Sequence, residues 1–284
     1  MVIPGVIYFL VFHYAPLWGL LVAFKDFQPF RGFEDSPWVG LAHFERLALD
    51  PMFWSALANT LIISFLNLIF YFPLPIALAL LLNEVRHKYF KRAVQTAVYA
   101  PHFMSWIIIY GVTFLLFSDQ GLVNVQLKEH NLQPIQAFLD ASLFRPTIVL
   151  QSIWRDSGWG AIVILAALAT VNPQLYEAAI VDGADRWQQF CYVTLPSIGG
   201  TIWILLILRL GNLLRSGFEQ VYIMQNPLNV GVSEVLDTYS FRTGLLNSDL
   251  GYATAVGLFQ SVAATILVVS ANWLANKMGD QGIW

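Results

Sequence analysis

Charge is scarce in these 284 residues. Asp, Glu, Lys and Arg together make up 12%, about half of the roughly 25% typical of soluble domains. So few charges cannot cover the surface of a water-soluble globule of this size. The shortage excludes an ordinary cytosolic enzyme and a disordered chain. A basic excess is also missing. The net charge of -3 leaves no electrostatic footprint for a polyanion, so a nucleic-acid partner is excluded. Cysteine is nearly absent, and Cys191 alone rules out an intrachain disulfide framework or a Cys-based zinc cluster. No G-x-x-x-x-G-K-[ST], H-E-x-x-H or G-x-S-x-G occurs. The five histidines, His13, His43, His87, His102 and His130, are scattered and suggest no metal site.

What fills the chain instead is apolar. Hydrophobic residues reach 57% and mean hydropathy is +0.60. A bilayer core of roughly 30 Å needs about 20 apolar helical residues. Uncharged windows that long occur at Val2 to Phe24, Ala56 to Asn83, Ala93 to Ser118, Ser157 to Tyr176, Trp187 to Leu208 and Leu250 to Asn276. Charges inside two spans displace their windows. The fourth span is expected to start near Thr147, after Pro146, and the fifth to run from Pro196 past Arg209. The expected spans are 2–24, 56–82, 93–117, 147–170, 196–216 and 251–276. The runs are continuous and lack period-2 alternation, which favours helices over a barrel. The reading is an all-α polytopic membrane protein of six transmembrane helices. With no linker, low-complexity stretch or internal repeat, residues 1–284 read as one membrane domain. The first window lacks a basic n-region and is too long for a cleaved signal peptide. It opens at Met1 without a basic lead-in, which leaves room for a natural tail ahead of it.

Asn83 to Arg92 holds Arg86, Lys88, Lys91 and Arg92, the densest basic cluster in the chain. The positive-inside rule places that loop in the cytoplasm. Six spans then put both ends in the cytoplasm, together with the loop 171–195. Segments near 25–55, 118–146 and 217–250 face outward.

The loop from Asn172 to Pro196 reads NPQLYEAAIVDGADRWQQFCYVTLP. Asn172 can cap a helix whose first residue is Pro173. Asp182-Gly183 ends that helix, with Gly183 free to take positive φ. Asp185 followed by Gln188 is a capping box opening a second short helix. Ala178 and Ala179 allow another surface to approach closely, Glu177 offers a charge, and Leu175 and Tyr176 offer apolar contact. From spacing alone the segment is either a docking knob or an amphipathic connector lying among headgroups.

Glu177-Ala178-Ala179, Asp182-Gly183-Ala184 and Val193-Thr194-Leu195-Pro196 resemble the EAA loop of binding-protein-dependent ABC importer permeases. The placement between two spans on the cytoplasmic side fits as well. More of the chain carries the likeness: Phe12-His13-Tyr14, Ala23-Phe24-Lys25-Asp26, Ser36 to Leu41, Gly217 to Gln220, Asp237-Thr238-Tyr239, Ala255 to Ser261 and the ending Gly282-Ile283-Trp284. These are similar to the carbohydrate-uptake branch for complex oligosaccharides. That branch includes permeases for uronic-acid polymers such as alginate and pectin fragments.

The resemblance implies a type I importer permease in a bacterial plasma membrane. Tyr176, Glu177, Ala178, Ala179, Asp182, Gly183 and Ala184 would form the ATPase-coupling element. Two ATPase subunits would bind the ATP and Mg, and this chain would bind no cofactor. A second permease, most often a different chain, and an extracytoplasmic solute-binding protein would complete the machine around an oligosaccharide.

Polar residues inside spans are costly and usually face a bundle interior or a wet cavity. Arg155 and Asp156 lie roughly 13 Å into the fourth span at 1.5 Å per residue. Gln151, Trp154 and Arg155 share one helix face, with Trp159 nearby. They could line a path that stacks a sugar ring on Trp154 and holds a hydroxyl or carboxylate with Arg155. An interfacial tryptophan anchor and a structural ion pair are the alternatives. Asn212 and Arg215 share a face of the fifth span and are candidates for the same path. Arg155, Arg209 and Arg215 hint at an anionic sugar, unless paired internally. Asn59, Asn67 and Gln260 are expected to bond between helices, Pro73 and Pro75 to kink the second span, and Pro101 the third. The competing function is an ion-coupled secondary transporter, which should show repeated halves and a midplane carboxylate array. A membrane-embedded enzyme would need a convergent catalytic set. Neither pattern is visible.

Overall fold

The long apolar runs fold as helices because a bilayer offers no partner for free backbone polar groups. The computed structural model describes residues 2–215 and 217–277. The end of the expected span 196–216 at Ser216 and the closing Gly282-Ile283-Trp284 lie outside the described residues. Among the described residues five helical elements are long and apolar enough to cross a membrane: α1 (Ile3–Phe24), α2 (Pro51–Glu84), α4 (Trp106–Glu129), α7 (Arg186–Gly211) and α8 (Leu250–Lys277). A sixth, α5 (Ala141–Ala169), is followed after a break by α6 (Pro173–Val181), bent from it by 68°. The amphipathic α3 (Lys88–Tyr99) lies between α2 and α4.

Several boundaries differ from the sequence expectation, each for a local reason. The expected span 93–117 is two pieces. Ala100–Phe103 is a 3-10 turn, Met104 is extended, and Ser105 caps a new helix by accepting from the Ile108 N–H. Pro101, without an N–H, sits in that turn. The fourth span starts before Pro146, not after it. Asp140 caps it by accepting from the Ser142 N–H, and Pro146 is inside the helix. The hydroxyl of Thr147 donates to Leu143 O at 2.7 Å in the same distorted turn. In α2 a π-turn at Asn67–Tyr71 absorbs the approach to Pro73 and Pro75. The second helix of the 172–196 loop does not stop before the fifth span. Arg186–Gln189 runs through a π-turn at Phe190–Thr194 into Leu195–Gly211.

Three buried clusters hold the helices. Ala79, Ala161, Ile164, Leu168 and Ile198 join α2, α5 and α7 at the end that carries α6. At the other end, Phe53, Ala56, Leu236, Tyr239, Tyr252 and Val256 form one core. Ile63, Phe144, Ile148, Val221 and Val235 form another. Short helices between α7 and α8 supply Val221, Val235, Leu236 and Tyr239. Where α3 crosses α5, Gly158 is required: an added Cβ would lie 2.0 Å from Val98 O. The start of α8 packs beside the end of α1, where the His43 ring bonds Lys25 O at 3.0 Å. Ile3 and Lys277 therefore point to the same end of the bundle as α6.

Candidate functional site: a projecting helix and a polar cavity

The first part of the site is built by local rules. Asn172 Oδ1 accepts from the Gln174 N–H at 3.0 Å, and Pro173 opens α6. At the other end Gly183 has φ of 80°. The Gly183 N–H reaches Ile180 O and the Ala184 N–H reaches Ala179 O at 2.9 Å, a Schellman stop. The expected capping box is present. Asp185 Oδ1 accepts from the Gln188 N–H and Gln188 Oε1 from the Asp185 N–H, both at 2.8 Å. Glu177 and Ala178 are exposed on α6, and the Glu177 carboxylate meets no cation among the described residues. Tyr176 turns the other way. Its hydroxyl hydrogen-bonds Thr194 Oγ1 at 3.0 Å and ties α6 to the foot of α7. The result is a short, locally capped helix with one exposed face, linked through Tyr176 to the foot of α7.

The second part is a cavity of about 200 Å³ between α2, α4, α5 and α7. Its wall includes Asn67, Tyr71, Asp156, Arg209, Asn212 and Arg215. Asp156 is compensated. His102 Nδ1 lies 2.9 Å from Asp156 Oδ1, and Arg155 donates to the same oxygen at 3.3 Å. Arg155 also donates through Nε to Met104 O at 3.1 Å and lies over the Trp106 ring. This arginine thus bonds backbone at the break in the third span, where a carbonyl has left the helical ladder. Arg209 stands over the Tyr71 ring at 4.9 Å. Neither Arg209 nor Arg215 pairs with a carboxylate among the described residues. Asn67 donates to Ile63 O, while its buried Oδ1 has no partner. An unpartnered buried acceptor of this kind asks for a donor.

The sequence-derived path residues separate here. Asp156, Asn212 and Arg215 line the cavity. Gln151 is buried in a structural network, donating to Thr113 Oγ1 and accepting from Gln220 Nε2. Trp154 borders an apolar hollow outside the polar cavity. Trp159 stacks on His102 with centroids 4.5 Å apart. Gln151, Trp154 and Arg155 share a helix face in principle, but partners from α4, the 3-10 turn and the short helix Phe218–Met224 divide them. Asn67, Tyr71 and Trp106 were not in the sequence-derived set. Asn67, expected to bond between helices, instead donates to Ile63 O within its own helix. The only available signal was a polar side chain in an apolar run.

With this geometry described, comparison with known proteins decides the family. A profile described as binding-protein-dependent transport system inner membrane component matches residues 51–280. The chain belongs to that family. The family is a membrane component of transport systems and is not itself catalytic. The chain is 48% identical to Protein LplB of Bacillus subtilis (strain 168), over 100% of this chain and 90% of the relative. It is 49% identical to the polygalacturonan/rhamnogalacturonan transport system permease protein YteP of the same organism, over 100% of this chain and 89% of that one. A crystal structure of bacterial alginate ABC transporter in complex with alginate pentasaccharide-bound periplasmic protein contains a chain that superposes with a TM-score of 0.91. That chain is 39% identical, and the match covers 100% of this chain and 95% of that one.

Proposed function

We propose that this chain is one permease half of an ATP-driven importer for oligosaccharides of the uronate class. The observation that carries the reading is the pairing of two features along one bundle. A short helix presents Glu177 and Ala178 exposed at one end, and a cavity lined by Arg209 and Arg215, neither paired with a carboxylate among the described residues, lies further along. At about 200 Å³ the cavity is below the roughly 300–1,000 Å³ of a complete small-molecule pocket. A second permease is its natural other wall.

In this reading the α6 end is cytoplasmic, and α6 seats in a separate ATPase. Two such subunits bind ATP and Mg, and their closure moves α6. Tyr176 and Thr194 pass that motion to α7, which carries Arg209 and ends at Gly211, just ahead of Asn212 and Arg215. A solute-binding protein delivers the sugar on the opposite side. The uronate assignment draws support from the names of the pectin-fragment and alginate systems above. Arg209 and Arg215, which meet no carboxylate among the described residues, also support it, since arginine suits carboxylates. Arg155, engaged with Met104 and Asp156, supports the path and does not contact the sugar directly.

The test is ATPase stimulation of the reconstituted complex by neutral and uronic oligosaccharides with the cognate binding protein. Arg209→Gln and Arg215→Gln are expected to lower the response to acidic sugars by about 10-fold or more each, the scale of a lost charge-assisted bond of roughly 1.5–3 kcal/mol. An unchanged preference for acidic sugars in the double variant removes the assignment.

A further inference from the structure

Behind α6, on the side where Tyr176 meets Thr194, lies a groove of about 800 Å³. Its walls are the end of α2, the inner face of α6 and the start of α7. One span ends and another begins there, so the groove sits at headgroup depth if α2 and α7 cross the bilayer. Leu80, Leu81, Ile180 and Phe190 make its apolar side. Leu81 and Ile180 are 68% and 61% exposed, a large apolar cost in water. Arg86 and Arg186 also line it. Both are exposed, and neither pairs with a carboxylate among the described residues. Glu84 is the one acid in the lining, against the two arginines; Lys88, Lys91 and Arg92 follow Arg86 in sequence, and Glu177, Asp182 and Asp185 precede Arg186 without lining the groove. Trp187 stands at the same level with its ring 5.2 Å from Phe190, the position that amphipathic rings favour at a bilayer surface.

We infer that this groove binds an anionic phospholipid, with its phosphate between Arg86 and Arg186 and an acyl chain along Leu80, Leu81, Ile180 and Phe190. A basic rim over an apolar wall matches an amphiphile with an anion at its head. A zwitterionic lipid satisfies the wall but leaves the basic rim poorly matched, and water-soluble anions satisfy only the arginines. Tyr176 and Ile180, four residues apart, face the groove from α6. Glu177 and Ala178 do not line it. The lipid therefore occupies the membrane side of α6 and leaves the docking face free. Bound there, it bridges α2, α6 and α7 and stiffens α6 against the bundle. This consequence for coupling rests on the function proposed above; the binding site does not.

The experiment uses the assembled transporter in nanodiscs of phosphatidylcholine with and without phosphatidylglycerol. Native mass spectrometry of the released complex is expected to retain phosphatidylglycerol. Retention should fall about five-fold for each of Arg86→Gln and Arg186→Gln, the scale of one basic residue at an anionic surface. Sugar-stimulated ATPase should rise with phosphatidylglycerol in the native complex and stay flat in the double variant. Leu81→Trp, which fills the groove without touching charge, should give the same loss and guards against misfolding of the arginine variants. Equal retention and equal lipid response in all variants overturn the site. So does a diazirine analogue of leucine at Leu81 that captures the ATPase or the second permease in place of lipid. If retention persists while sugar stimulation is absent in every bilayer, the transporter reading fails and the lipid site stands.

Discussion

The two ends of the bundle are held in opposite ways. At the α6 end the residues that matter are stabilised by neighbours a few positions away: Asn172 by Gln174, Asp185 by Gln188, Gly183 by Ile180. At the far end, stabilisation comes from residues far apart in sequence. The hydroxyls of Tyr239 and Tyr252 both donate to Asp50 Oδ2. Arg46 pairs with Asp249 at 2.5 Å. Asn59 donates to Gly231 O and Glu234 O while accepting from Arg145. One end is finished by the chain itself. The other is capped locally and leaves Glu177 and Ala178 exposed.

This contrast predicts a separation of function from stability. Glu177→Lys should abolish substrate-stimulated ATPase activity in the assembled complex, since breaking a desolvated charge contact costs about 2–5 kcal/mol. The same change should leave the Tm of the isolated chain in detergent within the noise, because exposed substitutions stay within roughly 0.5 kcal/mol. Normal coupling by that variant would break the comparison at its functional side. Phe53→Ala is the converse. Phe53 is fully buried in the far-end core, and its truncation should cost about 3–5 kcal/mol. At about 2–4 °C per kcal/mol for chains of this size, the melting point should drop by roughly 10 °C. The surviving folded fraction should still couple normally.

Legibility in sequence follows the same division. The caps of α6, the Gly183 stop and the box at Asp185 were readable because each needs only a few consecutive residues. The apolar runs revealed the spans for the same reason. The break at Ala100 to Ser105 was not readable as a break, because Arg155, 51 residues away, bonds its exposed carbonyl. The start of α5 was misplaced because Pro146 usually bars a helix interior, and the cap at Asp140 lies upstream of it. The cavity was half readable. Asp156, Asn212 and Arg215 stood out as polar residues in apolar context. Helix-face arithmetic placed Gln151 beside Arg155, but it could not see Thr113 and Gln220 drawing Gln151 into packing.

Tyr176→Phe tests the hydrogen bond that ties the locally built end to the foot of α7, where the Tyr176 hydroxyl meets Thr194 Oγ1. The loss should be about 0.5–1.5 kcal/mol, too small to release α6 but enough to loosen it. Reduced sugar stimulation with raised basal ATPase is the expected outcome. Thr194→Val should give the same result, and the double variant should be no worse than either alone. Additive losses would mean that the two side chains act through different partners.

The smallest expected effect lies at the far end, in Asp50. Burial acts to raise its carboxyl pKa, but the hydrogen bonds from Tyr239, Met52 N–H and Tyr252 outweigh it and hold the pKa below the usual carboxylate value. Burial pushes the Tyr239 hydroxyl far up, so it remains a donor across the working range. A carboxyl whose pKa is lower in the folded state adds stability above its unfolded value, about 3.9. That stability is lost as pH falls through the folded value. Asp50→Asn removes the charge and leaves one carbonyl oxygen, which can cap the Met52 N–H or accept from the tyrosines but not both. The native chain should therefore melt a few degrees above the variant at pH 7, with solvent screening keeping the gap below about 2–4 °C. The gap should close below about pH 4. A gap that persists unchanged in acid would assign the effect to shape, and the far end would then owe its cohesion to packing alone.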